Sequence, residues 1–490
     1  MKQVTRKTVI QYSLPQFGVG LLTTMLNNYL IYFYQPSSAS GLPTLITQGY
    51  VFLGVLTVIG FIKAAGHVID AVTDPLVAGM SDKSKNKNGR RIPYMKAFAV
   101  PFALSALLIF CAPSSTPGLL NNIWVGGFIW AYYIFYTLYM IPHHALLPEM
   151  ISDAGKRVDA YTMSSLFFVV GSMLGYATTA FVSIMKSFGL SPLAAWRGTF
   201  AVFALISVIL LLVPCFTIKE KDYVNSVRPT VSLAASLKHA FKNKQFVILT
   251  IGQLFEGTGM AFFQACIMYY ITSLMNIPEE QSIIIMASSI VGSLVLYPFV
   301  NKWSKNKGKK VPMIAGCIVF ALSQFVICFA DKIPGNSMAI AIAFALVVSF
   351  PFAVLNILPG SMMSDVIQYD TIKTGVNQEG IFSAAKSFIT KMGTSIATMM
   401  VPSLIAIGAV SGENVTRTGL MAAAVAGGVF CIVAIVVFCF YKENEVLTAI
   451  KAAKKMTKGT FDLEDFLSII GIIEYGKLQC YSDSTRENPS

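Results

Sequence analysis

The apolar residues of this chain come in long blocks, and that leaves few folds open. About twelve stretches long enough to cross a bilayer, roughly 20 residues each, follow one another between residues 14 and 441. An apolar run of that length satisfies its own backbone hydrogen bonds as a helix, because hydrocarbon offers no water to do so. The approximate spans are 14–35, 48–80, 94–113, 121–147, 159–185, 195–217, 246–275, 281–300, 311–330, 338–364, 379–410 and 417–441. Several contain Pro or Gly, which membrane helices tolerate when neighbours satisfy the freed backbone. With 55% hydrophobic and 12% charged residues and a mean hydropathy of +0.64, the chain reads as an all-α, multi-pass membrane protein.

The net charge of +13 could suggest nucleic acid, but its distribution argues against that partner. Lys and Arg cluster at Lys2, Arg6 and Lys7, in 82–96, 219–244 and 302–310, and beyond 441, whereas 36–46, 114–120 and 276–280 carry none. This alternation is the positive-inside pattern. It places both termini and the basic loops in the cytoplasm, in a cell membrane. The first apolar run continues through Pro15 to about residue 35 without a small-residue cleavage site, so it reads as the first helix rather than a signal. The eight Cys are scattered, and the adjacent His143 and His144 lack partners at metal spacing; no metal or other cofactor is expected.

The basic stretch 218–245 divides the spans six and six, into bundles at 1–217 and 246–441 with a tail at 442–490. Leu233, Leu237, Phe241 and Phe246 recur at helical spacing, so the stretch reads as an amphipathic linker on the membrane surface. In the tail, 444–458 reads as a basic surface helix and 461–474 as a shorter amphipathic one. The halves repeat. Pro75 leads to a basic glycine turn ending at Pro93, and Pro298 leads to a similar turn ending at Pro312. A basic glycine turn between the second and third spans of each half points to the major facilitator fold, which carries its substrate near the midplane between two related bundles.

Charge inside the spans is the functional signal. Lys63, His67, Asp70 and Asp74 fall within about 60° of one another on a helical wheel of the second span. Each such group costs about 2.5–3.5 kcal/mol at bilayer depth, so this stripe faces water, a partner or a bound ion. A buried ion-pair cluster that only holds helices together is the plainer reading, but such pairs are weak devices for stability. The aligned positions in the second half are Ser293 and Tyr297, so the turn is needed twice and the carboxylates once. On the eleventh span Glu379, Ser383, Lys386, Ser387, Thr390, Lys391, Thr394 and Thr398 share an arc of about 140°, the pattern of a helix lining a cavity. Lys391, about three turns inside, wants a carboxylate. Asp70, Asp74 and Asp365 are available, with the second-span pair favoured. Glu256 reads either as a cavity residue or as a helix-end charge.

These residues resemble a known family. The run from Asp70 to Pro75, with Gly79, Asp82, Gly89, Arg90 and Pro93, is similar to the signature of the glycoside–pentoside–hexuronide:cation symporters, the melibiose permease-like family. So are Ile141, Pro142, Leu147, Pro148, Glu149 and Arg157, then Ser364, Asp365, Tyr369, Glu379, Gly380, Phe382, Ser383, Lys391 and Gly393. The likeness runs to about residue 441. It implies that Asp70, Thr73, Asp74 and Thr137 hold a coupling Na⁺, Li⁺ or H⁺, with Asn usual where Thr73 stands. It implies that Lys391 lies between cation and sugar, and it points to Asn27, His144, Ser165 and Lys386 as solute contacts. Lys63, His67, Arg90, Asp365 and Glu379 are candidate coupling or gating charges. Acidic sugar contacts of the family's melibiose carriers are here Gly20 and Met140, an Arg is Ser165, an aromatic platform is His144 and a Gln is Lys386.

The expectation is a secondary symporter, functional as a monomer, coupling cation flow to uptake of a sugar-like solute. The loss of two acids and gain of a lysine point to a uronide or acidic glycoside. A non-sugar amphiphile or lysolipid on the same cation machinery is the alternative, and a membrane sensor is a weaker one. No nucleophile–base pair or phosphate loop suggests an enzyme.

Overall fold

The computed structural model describes residues 4–36, 40–48, 50–52, 56–82, 84, 86, 89–151, 154–223, 241–374, 379–409 and 414–457. Much of the expected linker, and the second tail helix at 461–474, lie outside these residues. The first half contains helices α1 (Arg6–Ser13), α2 (Pro15–Tyr34), α3 (Val58–Asp82), α4 (Ile92–Ile109), α5 (Leu119–Met150), α6 (Ala154–Tyr176), α7 (Thr178–Ser187) and α8 (Pro192–Thr217). The second contains α9 (Lys244–Tyr269), α10 (Ser282–Lys307), α11 (Lys310–Ile327), α12 (Ser337–Thr374), α13 (Glu379–Ile405), α14 (Arg417–Cys439) and α15 (Glu443–Thr457).

Among the described residues nine helices are long and apolar enough to cross a membrane, or ten if α6 and α7, bent by 43° at Ala177, form one broken span. The other two long helices, α2 and α3, are the ones that carry Asn27 and Asn28, and Lys63, Asp70 and Asp74. With them the count is compatible with the expected twelve. The second span does not begin at 48. Tyr50–Phe52 and Leu56–Thr57 form a short antiparallel pair, β1 and β2, and the helix starts at Val58. There the Thr57 hydroxyl accepts the Gly60 N–H at 3.3 Å, which satisfies one of the amides a helix start leaves free. The tenth span runs further than expected, to Thr374.

Each half packs in the same order. α2 lies on α6 and α8, α4 on α5 and α8, and α3 on α5; correspondingly α9 lies on α13 and α14, α11 on α12 and α14, and α10 on α12. The repeated glycine turns have one construction. At Gly89 (φ +120°) the next three amides, of Arg90, Arg91 and Ile92, donate to the Glu220 carboxylate at 2.7, 2.9 and 2.9 Å. At Gly308 (φ +81°) the amides of Lys309 and Lys310 donate to Glu443 at 2.5 and 3.0 Å. Each carboxylate caps the helix that follows, where unsatisfied N–H groups favour an anion. Two turn-side ion-pair sets each lie within one half: Arg90 and Arg91 with Glu149 at 3.2 and 2.7 Å, and Lys309 with Asp365 at 2.6 Å.

On the far side the halves are laced together. The Gln35 amide donates to Pro402 O at 3.1 Å and Asn414 O at 2.9 Å, and the Gln35 carbonyl accepts from the Tyr269 hydroxyl at 2.9 Å. Asn414 donates to Pro36 O at 3.3 Å, and Thr57 N–H to the Ser403 hydroxyl at 3.3 Å. Tyr32 donates to Glu279, which also lies 3.9 Å from Lys186. The molecule is closed on the far side.

Candidate cation and solute site

A deep polar junction between the halves is built from four side chains on three helices. Asp70 and Asp74 stand one turn apart on α3, α5 brings Thr137 to one side of them, and α13 brings Lys391 to the other. The Lys391 ammonium lies 2.8 Å from Asp70 Oδ2 and 2.5 Å from Asp74 Oδ2. Across from it the Thr137 hydroxyl donates to Asp70 Oδ1 at 2.8 Å, with Asp74 Oδ1 at 3.1 Å. Thr73 donates to Asp70 O at 3.2 Å and to Thr137 Oγ1 at 3.4 Å. The Lys391 contact thus falls on the second-span pair, while Asp365 pairs with Lys309 on the turn side.

Exposure changes along α3. The Asp74 and Lys391 side chains are 22% and 21% exposed and that of Asp70 is 5%, while His67 and Lys63 are 7% and 1% exposed. The cluster is therefore reached from the turn side and sealed toward the far side. His67 lies 3.1 Å from the Tyr133 hydroxyl, a contact that satisfies a buried imidazole. Lys63 makes no hydrogen bond or ion pair among the described residues. His144 is exposed although it sits two turns below Thr137 on α5; it lies 3.5 Å from Gln16 and within Coulombic reach of Asp74 and Lys391. Exposure there means that it lines the accessible space beside the cluster.

Other candidates separate from the cluster. Asn27 is half-buried on α2, where its neighbour Asn28 bonds back to Thr24 O at 2.9 Å. Ser165 is exposed on α6, and the adjacent Ser164 bonds Ser13 at 3.0 Å. Arg90 and Asp365 serve turn-side ion pairs far from Lys391. Glu379 begins α13, but its side chain is outside the described set. Lys386 is half-buried on α13, with Glu256 of α9 near enough to act on it through space. Glu256 lies mid-way along α9, 6% exposed, and is not a helix-end charge. Gly20 is no vacated sugar contact: a Cβ there would stand 2.3 Å from the Phe168 carbonyl of α6. Met140 is buried.

Comparison with known proteins decides what kind of machine holds this site. A family model described as MFS/sugar transport protein matches residues 11–445. The chain belongs to that family. Its resemblance to the glycoside–pentoside–hexuronide:cation symporters is borne out by relatives. The isoprimeverose transporter of Lactiplantibacillus pentosus is 23% identical over 399 residues, covering 79% of this chain and 77% of the relative. The putative glycoside/cation symporter YagG of Escherichia coli (strain K12) is 25% identical over 410 residues, covering 83% and 84%. Among solved structures, a D-xylose-proton symporter aligns with a TM-score of 0.63 at 13% identity, covering 89% of this chain and 98% of that one. The fold is that of the major facilitators, and as a family member this chain is a multi-pass membrane transporter rather than an enzyme.

Sequence reasoning missed two features of this transporter. Glu256, mid-way along α9, acts on Lys386 through space, and it comes from another helix with no spacing signal. His143 is structural: its ring stacks on Tyr12 at 4.2 Å, and each residue hydrogen-bonds the other's backbone carbonyl at 2.9 Å. A Tyr and a His 131 residues apart give no local pattern that could announce this.

Proposed function

We propose that this transporter is a cation-coupled symporter of a sugar-type solute, monomeric, in the cell membrane with its termini in the cytoplasm. One observation carries the reading: the Lys391 ammonium bridges Asp70 and Asp74 in the place a coupling cation would take. A Na⁺, Li⁺ or H⁺ competes with Lys391 for the same carboxylate oxygens, and the hydroxyls of Thr137 and Thr73 stand ready as further oxygen ligands for a hard cation. When the cation binds, Lys391 is released toward the space lined by His144. A free ammonium in a sheltered cavity is a strong donor to a solute, so cation binding prepares the solute site. The isoprimeverose and glycoside names among the relatives support a sugar-type cargo. Lys386, a lysine gained on the cavity-lining face of α13, favours an acidic glycoside or uronide within that class.

The test is uptake into vesicles with imposed Na⁺, Li⁺ or H⁺ gradients, over paired neutral and uronic sugars. Asp74→Asn abolishes gradient-driven accumulation. Full accumulation by that variant overturns the coupling assignment, and a preference for the neutral sugar that Lys386→Gln leaves unchanged overturns the acidic solute.

A further inference from the structure

Lys63 is the least explained charge in the molecule. It sits one turn above His67 on α3, on the sealed side of the cluster, and is 1% exposed. Burial of an ammonium with no partner is costly, and proteins retain such groups where they serve a site. Its effect on the cluster is through space. Seven residues of helix separate it from Asp70, about 10 Å along the axis. His67, between them, feels both Lys63 and Lys391.

The formal charges along the middle of the spans balance. The described acids there are Asp70, Asp74 and Glu256, and the described bases are Lys63, Lys386 and Lys391. A monovalent cation entering alone leaves one positive charge uncompensated in a poorly screened interior. A cation entering with a monoanionic solute restores the balance. Without Lys63 the balance is met by the cation alone.

We infer that Lys63 ties cation entry to solute entry: its unpaired charge disfavours the carrier loaded with cation only, and so suppresses cation movement without an anionic solute. This inference rests on the cation site proposed at Asp70 and Asp74. A unit charge at about 10 Å, at an effective dielectric constant of about 20, changes cation affinity on the order of tenfold.

The experiment uses the full chain and needs no identified solute. In detergent, the midpoint of the melting-temperature shift is measured for Na⁺, Li⁺ and H⁺, and in vesicles solute-free Na⁺ entry is followed. Lys63→Met moves the midpoint of the active cation to a concentration lower on the order of tenfold, and raises solute-free entry. Lys63→Arg keeps both wild-type values. Lys63→Gln gives the same reading as the methionine variant should that one not be recovered folded. If the neutral variants leave the midpoint and the entry rate unchanged while Asp74→Asn still removes the cation response, the site stands and the role of Lys63 falls. If Asp74→Asn keeps the response, or no cation shifts the wild type, the cation site falls and this inference with it.

Discussion

At the residue scale the cluster depends on one hydroxyl and one missing side chain. Among the described residues Thr137 touches both carboxylates from the side away from Lys391, at 2.8 and 3.1 Å. Removing its oxygen takes a hydrogen bond from a buried and a half-buried carboxylate, each such bond being worth about 1.5–3 kcal/mol. Thr137→Val, nearly the same shape, weakens the cation response by on the order of tenfold or more, read as the midpoint of the cation-induced melting shift; an unchanged midpoint excludes Thr137 as a ligand. Gly20 makes the opposite point. Restoring an acid there cannot recreate a sugar contact, because any Cβ meets the Phe168 carbonyl at 2.3 Å and α2 must move off α6. Gly20→Asp lowers the yield of folded protein and creates no new solute specificity, a result that size-exclusion profiles and uptake assays separate. The carboxylate stripe was legible because neighbours on one helix obey a fixed angular rule. The acid that acts on Lys386 was not, because Glu256 lies on another helix.

At the element scale the repeated turn explains itself only when the next helices are in view. Gly89 and Gly308 both take positive φ, a region that costs a residue with a Cβ, and at both places a Cβ would run into the capping carboxylate, at 2.2 Å from Glu220 and 2.5 Å from Glu443. The sequence shows the glycines and the basic residues around them. It does not show that the carboxylates closing each turn lie just past the sixth and twelfth spans. Glu220→Ala frees three amides at the start of α4, and Glu443→Ala frees two at the start of α11. Each loss lowers the melting temperature, by an amount that fits about 1–3 kcal/mol. Thermal melts of the two single variants and the double check this; losses that add indicate independent caps.

At the scale of the whole molecule, the closed far side and the accessible cluster describe one end-state of a carrier that works by alternating access. Gln35 is the centre of that closure. It is 1% exposed and joins α2 to the residues around Pro402, to Asn414 and to Tyr269. Gln35→Ala removes two of those bonds and shifts the population toward opening on the far side. Spin labels at the exposed positions Pro43 and Ile407, one in each half, then report a longer distance than in the parent; an unchanged distribution shows that the closure does not depend on Gln35. Sequence alone determined that the chain is a bundle of spanning helices in two related halves, with an acidic pair on the second. These follow from hydropathy and from the period of the helix, which act over neighbours in the chain. Only the tertiary structure decided that Lys391 bridges both acids, that Glu256 is buried in the middle of α9, and which side is shut. The contacts of Lys391 and Gln35 join residues hundreds of positions apart, and charge and hydrogen bonding act across space without regard to that separation.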